Sequence, residues 1–250
     1  MVNNREKQVL IVITRAKATM IFISSIVLFV VALLLWKHQR LENDILIQCN
    51  YFIRNGIYLH FFQFISRYGM GMISMLFGVL VFLSFQKREL EHNSILFMFI
   101  IFSFALSSVA GDLMKEIVGR ARPVSELAGV LAQTEPSGTS SFPSGHAAKS
   151  MGLALPFVIM ALHSDVITKI FKVIVLLLAT LVCCSRIALQ KHYLSDVLAG
   201  ISLALFFIVI AIWIVNSIYK RRNLDELKLA KLNKRLGFVF IGLAVLLICI

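Results

Sequence analysis

Residues 18–36 hold nineteen side chains without one charge, and 68–85, 94–111 and 197–219 are equally clean. No other feature constrains the fold as strongly. An α-helix rises 1.5 Å per residue, so about 20 apolar residues match the roughly 30 Å hydrocarbon core of a bilayer. Two further runs, 147–162 and 168–185, are interrupted only by Lys149 and by Lys169 and Lys172. Lysines near a helix end can extend their ammonium groups to the membrane surface. Six spans are therefore expected, in an all-α integral membrane protein whose six-transmembrane-helix bundle occupies residues 18–219. Residues 1–17 form a cytoplasmic N-terminus on this reading, and 220–250 a basic cytoplasmic segment with a short apolar tail. With 59% apolar and 15% charged residues, the chain is not an ordinary soluble domain.

The first run follows Arg15 and Lys17 but is longer than the apolar region of a signal peptide. Trp36-Lys37-His38 comes next instead of small residues, so it reads as a retained anchor. A net charge of +12 raises the question of nucleic acid. With the N-terminus inside, however, fifteen of the 25 basic residues fall on the cytoplasmic side. Six of the other ten (Lys115, Arg120, Arg122, Lys149, Arg186 and Lys191) lie in or beside three polar motifs, and setting them aside leaves a ratio of 15 to 4. Such a bias marks topology and contact with an anionic lipid bilayer, not a nucleic-acid partner. The four cysteines show no metal spacing and suggest no disulfide framework.

Three connections face the same outer side: 37–67, 112–146 and 186–196. The first contains a stretch over 50–62 suited to an interfacial amphipathic helix, with Arg54 and His60 on its solvated face. The second carries Lys115, Arg120, Arg122 and Pro123, then a loop ending in Ser141-Phe-Pro-Ser-Gly-His146. The third is Ser185-Arg186, five residues, His192, three residues and Asp196. Nearly all the unusual polar chemistry of the chain thus converges on one membrane face.

His192 and Asp196 share a helix face one turn apart. A carboxylate there can take the proton of one imidazole nitrogen and leave the other as nucleophile or base. Alone, such a pair is more often structural. Its company changes the reading: Lys115, Arg122 and Arg186 bring three cations, two with the planar fork that suits phosphate oxygens. Pro143-Ser144-Gly145-His146 forms a tight turn at a helix N-terminus, where backbone N–H groups and the helix dipole favour an anion. Two histidines, three cations and a nest of amides point to phosphate transfer, one histidine attacking and the other protonating the leaving oxygen.

Lys115-x6-Arg122-Pro123, Pro143-Ser-Gly-His146 and Ser185-Arg186-x5-His192-x3-Asp196 together resemble the three-part signature of the type 2 phosphatidic acid phosphatase (PAP2) superfamily. The likeness covers roughly residues 65–215. It implies a six-helix membrane core with the site at its outer face. It also implies His192 as the nucleophile of a phosphohistidine, Asp196 as its orienting partner and His146 as general acid. Lys115, Arg122, Ser144, Gly145 and Arg186 would hold the phosphate, with no metal and no cofactor. Vanadium haloperoxidases share this site, but those relatives are soluble.

The expected activity is hydrolysis of a cell-envelope lipid phosphate or diphosphate in a bacterial inner membrane, with the site facing the periplasm or cell exterior. Undecaprenyl diphosphate, lipid A, phosphatidylglycerol phosphate and phosphatidic acid all fit. Val-Ser-Glu-Leu at 124–127 is similar to the matching loop of the branch that moves a phosphate from undecaprenyl diphosphate to lipid A, which keeps transfer open. Arg120 reads equally as a headgroup contact or an interfacial cation, and Lys149 as a further substrate contact or a snorkelling lysine. Asp112 is a candidate ion-pair partner for Lys115. A transporter would spread such residues through the membrane or over repeated halves, which this chain does not do. Residues 220–235 suggest a cytosolic helix on anionic lipid, and the 14 residues after 236 are short for a span.

Overall fold

A computed structural model describes residues 14–53, 56–84, 94–123, 140–160, 166–222 and 226–249. Among them there are eight helices and no strand. The first, α1 (Arg15–Lys37), starts where Thr14 Oγ1 accepts the Lys17 N–H at 3.3 Å. It is followed by α2 (Gln39–Ile53), α3 (Gly56–Ser84) and α4 (Ser94–Val118), then α5 (Gly145–Ile159), α6 (Val166–Ala188), α7 (Leu194–Arg222) and α8 (Glu226–Cys249).

Four helical stretches are long and apolar enough to cross a bilayer: Arg15–Lys37, Leu96–Val118, Val166–Ala188 and Leu194–Ile218. They coincide with the first, third, fifth and sixth expected spans. The other two expected spans differ. The segment expected at 68–85 overlaps the second half of the 29-residue α3, which begins twelve residues earlier, at Gly56, and ends at Ser84. Of the stretch expected as one interfacial helix, residues 50–53 close α2 and residues 56–62 open α3, while Arg54 lies outside the described residues. The segment at 147–162 is α5, only 15 residues long with Pro156 near its end, so it rises about 22 Å. Lys172 Nζ reaches the Met160 carbonyl at 2.6 Å, supplying a donor just beyond that helix end. Among the described residues four helices meet the length and apolarity of a span, and the expected six are not confirmed.

Of the basic stretch, residues 220–222 end α7, and α8 runs from Glu226 through the remaining basic residues into the apolar tail as far as Cys249. Its apolar half lies against α3. Ser74 Oγ donates to the Phe240 carbonyl at 3.0 Å, and the Phe240 ring meets Phe77 at 5.6 Å and Phe97 at 5.9 Å. Helix periodicity continues through a change from charged to apolar composition as long as the buried face keeps its register.

Burying one greasy helix against another gains little in lipid, so close packing and interhelical hydrogen bonds carry the association. The central α7 packs on α1, α4 and α5. Between α1 and α7, Ser25 and Ser202 exchange hydroxyl-to-carbonyl bonds of 3.0 and 2.8 Å. Glycines bring α5 close to both neighbours: a methyl group at Gly200 would lie 2.6 Å from the Ser144 carbonyl oxygen, and one at Gly152 2.4 Å from Ser107 Oγ. Outward faces stay apolar, Ile23, Leu34, Leu177 and Trp213 among them. Across the end of the bundle where α1 and α6 finish lies α2, whose buried Glu42, Leu46, Asn50 and Ile53 line one helical face. Asn50 Nδ2 donates to the Ala188 carbonyl at 3.3 Å, capping the last turn of α6.

Candidate active site

The polar motifs meet at that same end. Helix α6 closes in a Schellman motif, with Gln190 N–H on the Ile187 carbonyl (2.9 Å) and Lys191 N–H on the Arg186 carbonyl (2.9 Å). Gln190 takes the left-handed position (φ 56°) that glycine usually fills. His192 follows at once, its own N–H also on the Arg186 carbonyl at 3.1 Å. Asp196 stands in the first turn of α7, and its Oδ2 accepts the Tyr193 N–H at 2.9 Å.

The His192 ring is 1% exposed. Its Nδ1 lies 2.8 Å from the Ser141 carbonyl oxygen and 3.5 Å from Asp196 Oδ2. Since a carbonyl can only accept, this contact is a hydrogen bond when Nδ1 carries the proton, and the lone pair of the neutral ring is then on Nε2. Burial pushes the imidazole down to about 4; the Arg186 and Arg122 charges add to the fall and Asp196 opposes it. His192 is thus neutral, and potentially nucleophilic, near pH 7. The expected orienting partner, Asp196, stands farther from the ring than a main-chain oxygen does.

The strand of chain that supplies this oxygen is fastened on both sides. Ser141 N–H donates to the Arg120 carbonyl at 2.7 Å, and its hydroxyl to that of Ala121 at 3.0 Å. Ser144 caps α5, with Oγ 3.5 Å from the Ala147 N–H, while its own N–H donates to the Asp196 carbonyl at 2.8 Å. The start of α5 is therefore docked on the first turn of α7, and His146 sits half-buried in that first turn of α5. A methyl at Gly145 would lie 3.1 Å from Lys115 Nζ, which places the lysine ammonium beside the turn. Arg122 Nη1 reaches the Lys191 carbonyl at 3.4 Å. Arg186 is buried, with Nη1 on Ser66 Oγ at 2.6 Å. All three motifs thus meet around His192 and the start of α5.

Arg120 is 7% exposed, with Nη2 on Glu42 Oε2 at 2.6 Å and Nη1 on Asp196 Oδ1 at 2.7 Å, so its guanidinium is engaged by carboxylates of the protein. Lys149 is partly exposed and its Nζ is 3.6 Å from Asp112 Oδ2, while Asp112 Oδ1 and Lys115 Nζ both lie within 4 Å of where a methyl at Gly145 would stand. Glu42 was not among the sequence candidates. Its signal was its place on an apolar stripe with Leu46 and Ile53, where a carboxylate needs a buried partner. The loop at 124–127 lies outside the described residues.

The sequence pattern of the PAP2 superfamily matches residues 96–222, just over half of the chain. The chain belongs to the PAP2 superfamily. Every residue of the three PAP2 motifs falls inside that match, while α1, α2, α3 and α8 lie outside it. The fold is similar to the crystal structure of a transmembrane PAP2-type phosphatidylglycerolphosphate phosphatase from Bacillus subtilis, with a TM-score of 0.57 and 20% identity. That likeness covers 82% of this chain and 97% of the other, and at such identity it establishes a shared PAP2 fold. No curated protein matches the chain.

Proposed function

We propose that this PAP2 protein is a membrane phosphatase removing the terminal phosphate of a cell-envelope lipid phosphate or diphosphate through a phosphohistidine. The observation that carries the proposal is the 2.8 Å contact between His192 Nδ1 and the Ser141 carbonyl, which suits a neutral ring with its lone pair on Nε2. In the first step Nε2 attacks phosphorus, the bond to the lipid oxygen breaks, and His146 gives that oxygen its proton. Water then attacks the phosphohistidine, His146 takes a proton from it, and inorganic phosphate leaves with His192 neutral again. Lys115, Arg122, Arg186 and the turn at Ser144 and Gly145 compensate the charge on the phosphoryl oxygens, where a metal would otherwise be needed. Asp196 stabilises the imidazolium-like state as the N–P bond forms.

Family membership and the phosphatase fold neighbour support the reaction class. The basic bias of the inner connections supports a site on the outer leaflet of the cytoplasmic membrane. Undecaprenyl diphosphate, phosphatidylglycerol phosphate, phosphatidic acid and lipid A are the substrates to compare. Phosphate release by the purified protein in detergent over that panel is the test. At least one lipid should be dephosphorylated, and His192→Ala should release nothing; a transferase would need an acceptor lipid before phosphate left its donor. Equal release by the wild type and His192→Ala would overturn the mechanism.

A further inference from the structure

The Arg120 guanidinium is enclosed on every side that the fold offers. Its faces are covered by the rings of Tyr193 (4.1 Å) and Trp36 (4.7 Å), and its edges end on Glu42, Asp196 and the Ser195 hydroxyl, the last at 2.6 Å. Glu42 is fully buried and divides its own carboxylate in the same way. Oε2 takes Arg120, while Oε1 accepts the Ser195 N–H at 2.9 Å, one of the unpaired donors in the first turn of α7.

The division has a geometric effect on Asp196. Arginine prefers a two-point, fork-to-fork pairing with a carboxylate. Here it makes one contact with Asp196, at Oδ1, because its other nitrogen is held by Glu42. Oδ2 is left to accept the Tyr193 N–H and to face His192 Nδ1. Without Glu42, Arg120 would be free to turn both nitrogens onto Asp196, drawing Oδ2 away from Tyr193 and the imidazole. Ser195 N–H would lose its acceptor at the same time.

We infer that Glu42, on a helix outside the PAP2 match, is a positioning residue for phosphate transfer, splitting the Arg120 fork so that Asp196 keeps one oxygen beside His192. Resting on the phosphatase reading above, it assigns part of the site's precision to α2. Glu42 touches no substrate in this scheme, so it should affect the chemical step and not lipid binding. A purely structural ion pair would instead affect how much protein folds.

The test uses the full chain in detergent. Kinetics with a short-chain phosphatidate give kcat and KM per folded site, and ¹⁵N NMR of labelled histidines reports the His192 ring, assigned with His192→Ala among the six histidines. Glu42→Gln keeps the shape and an oxygen for Ser195 but loses the charge. It is expected to lower kcat by ten- to a hundredfold, leave KM within threefold, and shift the ¹⁵N signals of the His192 ring while the Ser141 carbonyl keeps the proton on Nδ1. If this variant does not accumulate, Glu42→Asp, which withdraws the carboxylate by one methylene, should give the same pattern with a three- to tenfold loss.

A kcat within twofold of wild type would overturn the inference, whatever the loss in thermal stability. So would a change confined to KM, or a loss of kcat with the His192 signals unmoved. Should the wild type hydrolyse no lipid phosphate at all, the phosphatase reading fails, and the histidine spectra alone still decide whether Glu42 positions the ring.

Discussion

Glu42, Arg120, His192 and Asp196 lie at one end of the bundle with no more than 7% exposure each, joined by contacts that fix atom against atom. Elsewhere in the bundle, Phe77, Phe97, Phe157 and Phe240 meet as rings with centroids between 5.4 and 5.9 Å apart. One region is specified by direction, the other by volume. Removing a member of the first leaves a buried charge short of a partner, which costs several kcal/mol even where the remaining groups rearrange. Removing bulk from the second leaves a gap that neighbouring side chains and lipid can partly fill, with no polar group exposed. Function should therefore be fragile in one region and stability distributed in the other.

The largest expected effect is at the nucleophile. His192→Ala should lower turnover by roughly 10⁴-fold or more and abolish trapping of a phosphoenzyme, while the protein still inserts; this is read from phosphate release and acid-quenched labelling. Next comes one substitution made in both regions. Gly200→Ala drives a methyl into the Ser144 carbonyl and should separate the start of α5 from α7, lowering kcat about a hundredfold. Gly152→Ala collides with Ser107 Oγ deeper in the bundle and should destabilise by about 1–3 kcal/mol, with kcat of the folded fraction within tenfold. If the two variants lose activity equally, the distinction between the regions fails.

Phe240→Ala sharpens the comparison from the packing side. Without a hydrophobic transfer gain between helices in lipid, its cost should be about 1–3 kcal/mol, below the usual soluble-core figure, with kcat/KM within threefold. Unfolding in mixed detergent micelles and phosphate release measure the two quantities. A smaller effect concerns pH. His192 is neutral above about 4, so lowering the pH from 7 to 5.5 should cost less than twofold on its account. An ordinary imidazole with its pKa near 6.5 would lose about tenfold over that interval. The profile of kcat/KM, corrected for the ionisation of the substrate phosphate, distinguishes them. The smallest effect is with EDTA, which should leave the rate within twofold, since Lys115, Arg122 and Arg186 supply the positive charge; vanadate should inhibit.

The three motifs were legible because each is local and chemically dense: Lys115 to Pro123, Pro143 to His146, and Ser185 to Asp196 name their residues within a few turns. The long uncharged runs were legible for the same reason, and α1, α4, α6 and α7 lie where they do. What escaped is what depends on distant partners. Glu42 is one acid in a mixed polar stretch, and only the arrival of Arg120, 78 residues later, explains it. Arg120 in turn read equally as a headgroup contact or an interfacial cation, because its carboxylates and covering rings come from α1, α2, α7 and Tyr193 just before α7. The start of α3 was hidden by polar residues that a helix end tolerates, and α8 by a change of composition halfway along it.

The oxygen that holds Nδ1 of His192 belongs to the main chain at Ser141, and this has a genetic consequence. No codon change deletes a carbonyl. A library of single side-chain replacements should therefore score position 141 as permissive for small residues, although its backbone carries the tautomer on which the proposed chemistry depends. Heritable loss of that contact has to come through residues that steer the chain, such as Arg120, whose side chain, held by Glu42 and Asp196, anchors the segment on which the Ser141 N–H rests. Clinical-style variant maps, which count tolerated letters, would draw the catalytic centre one shell away from where it is.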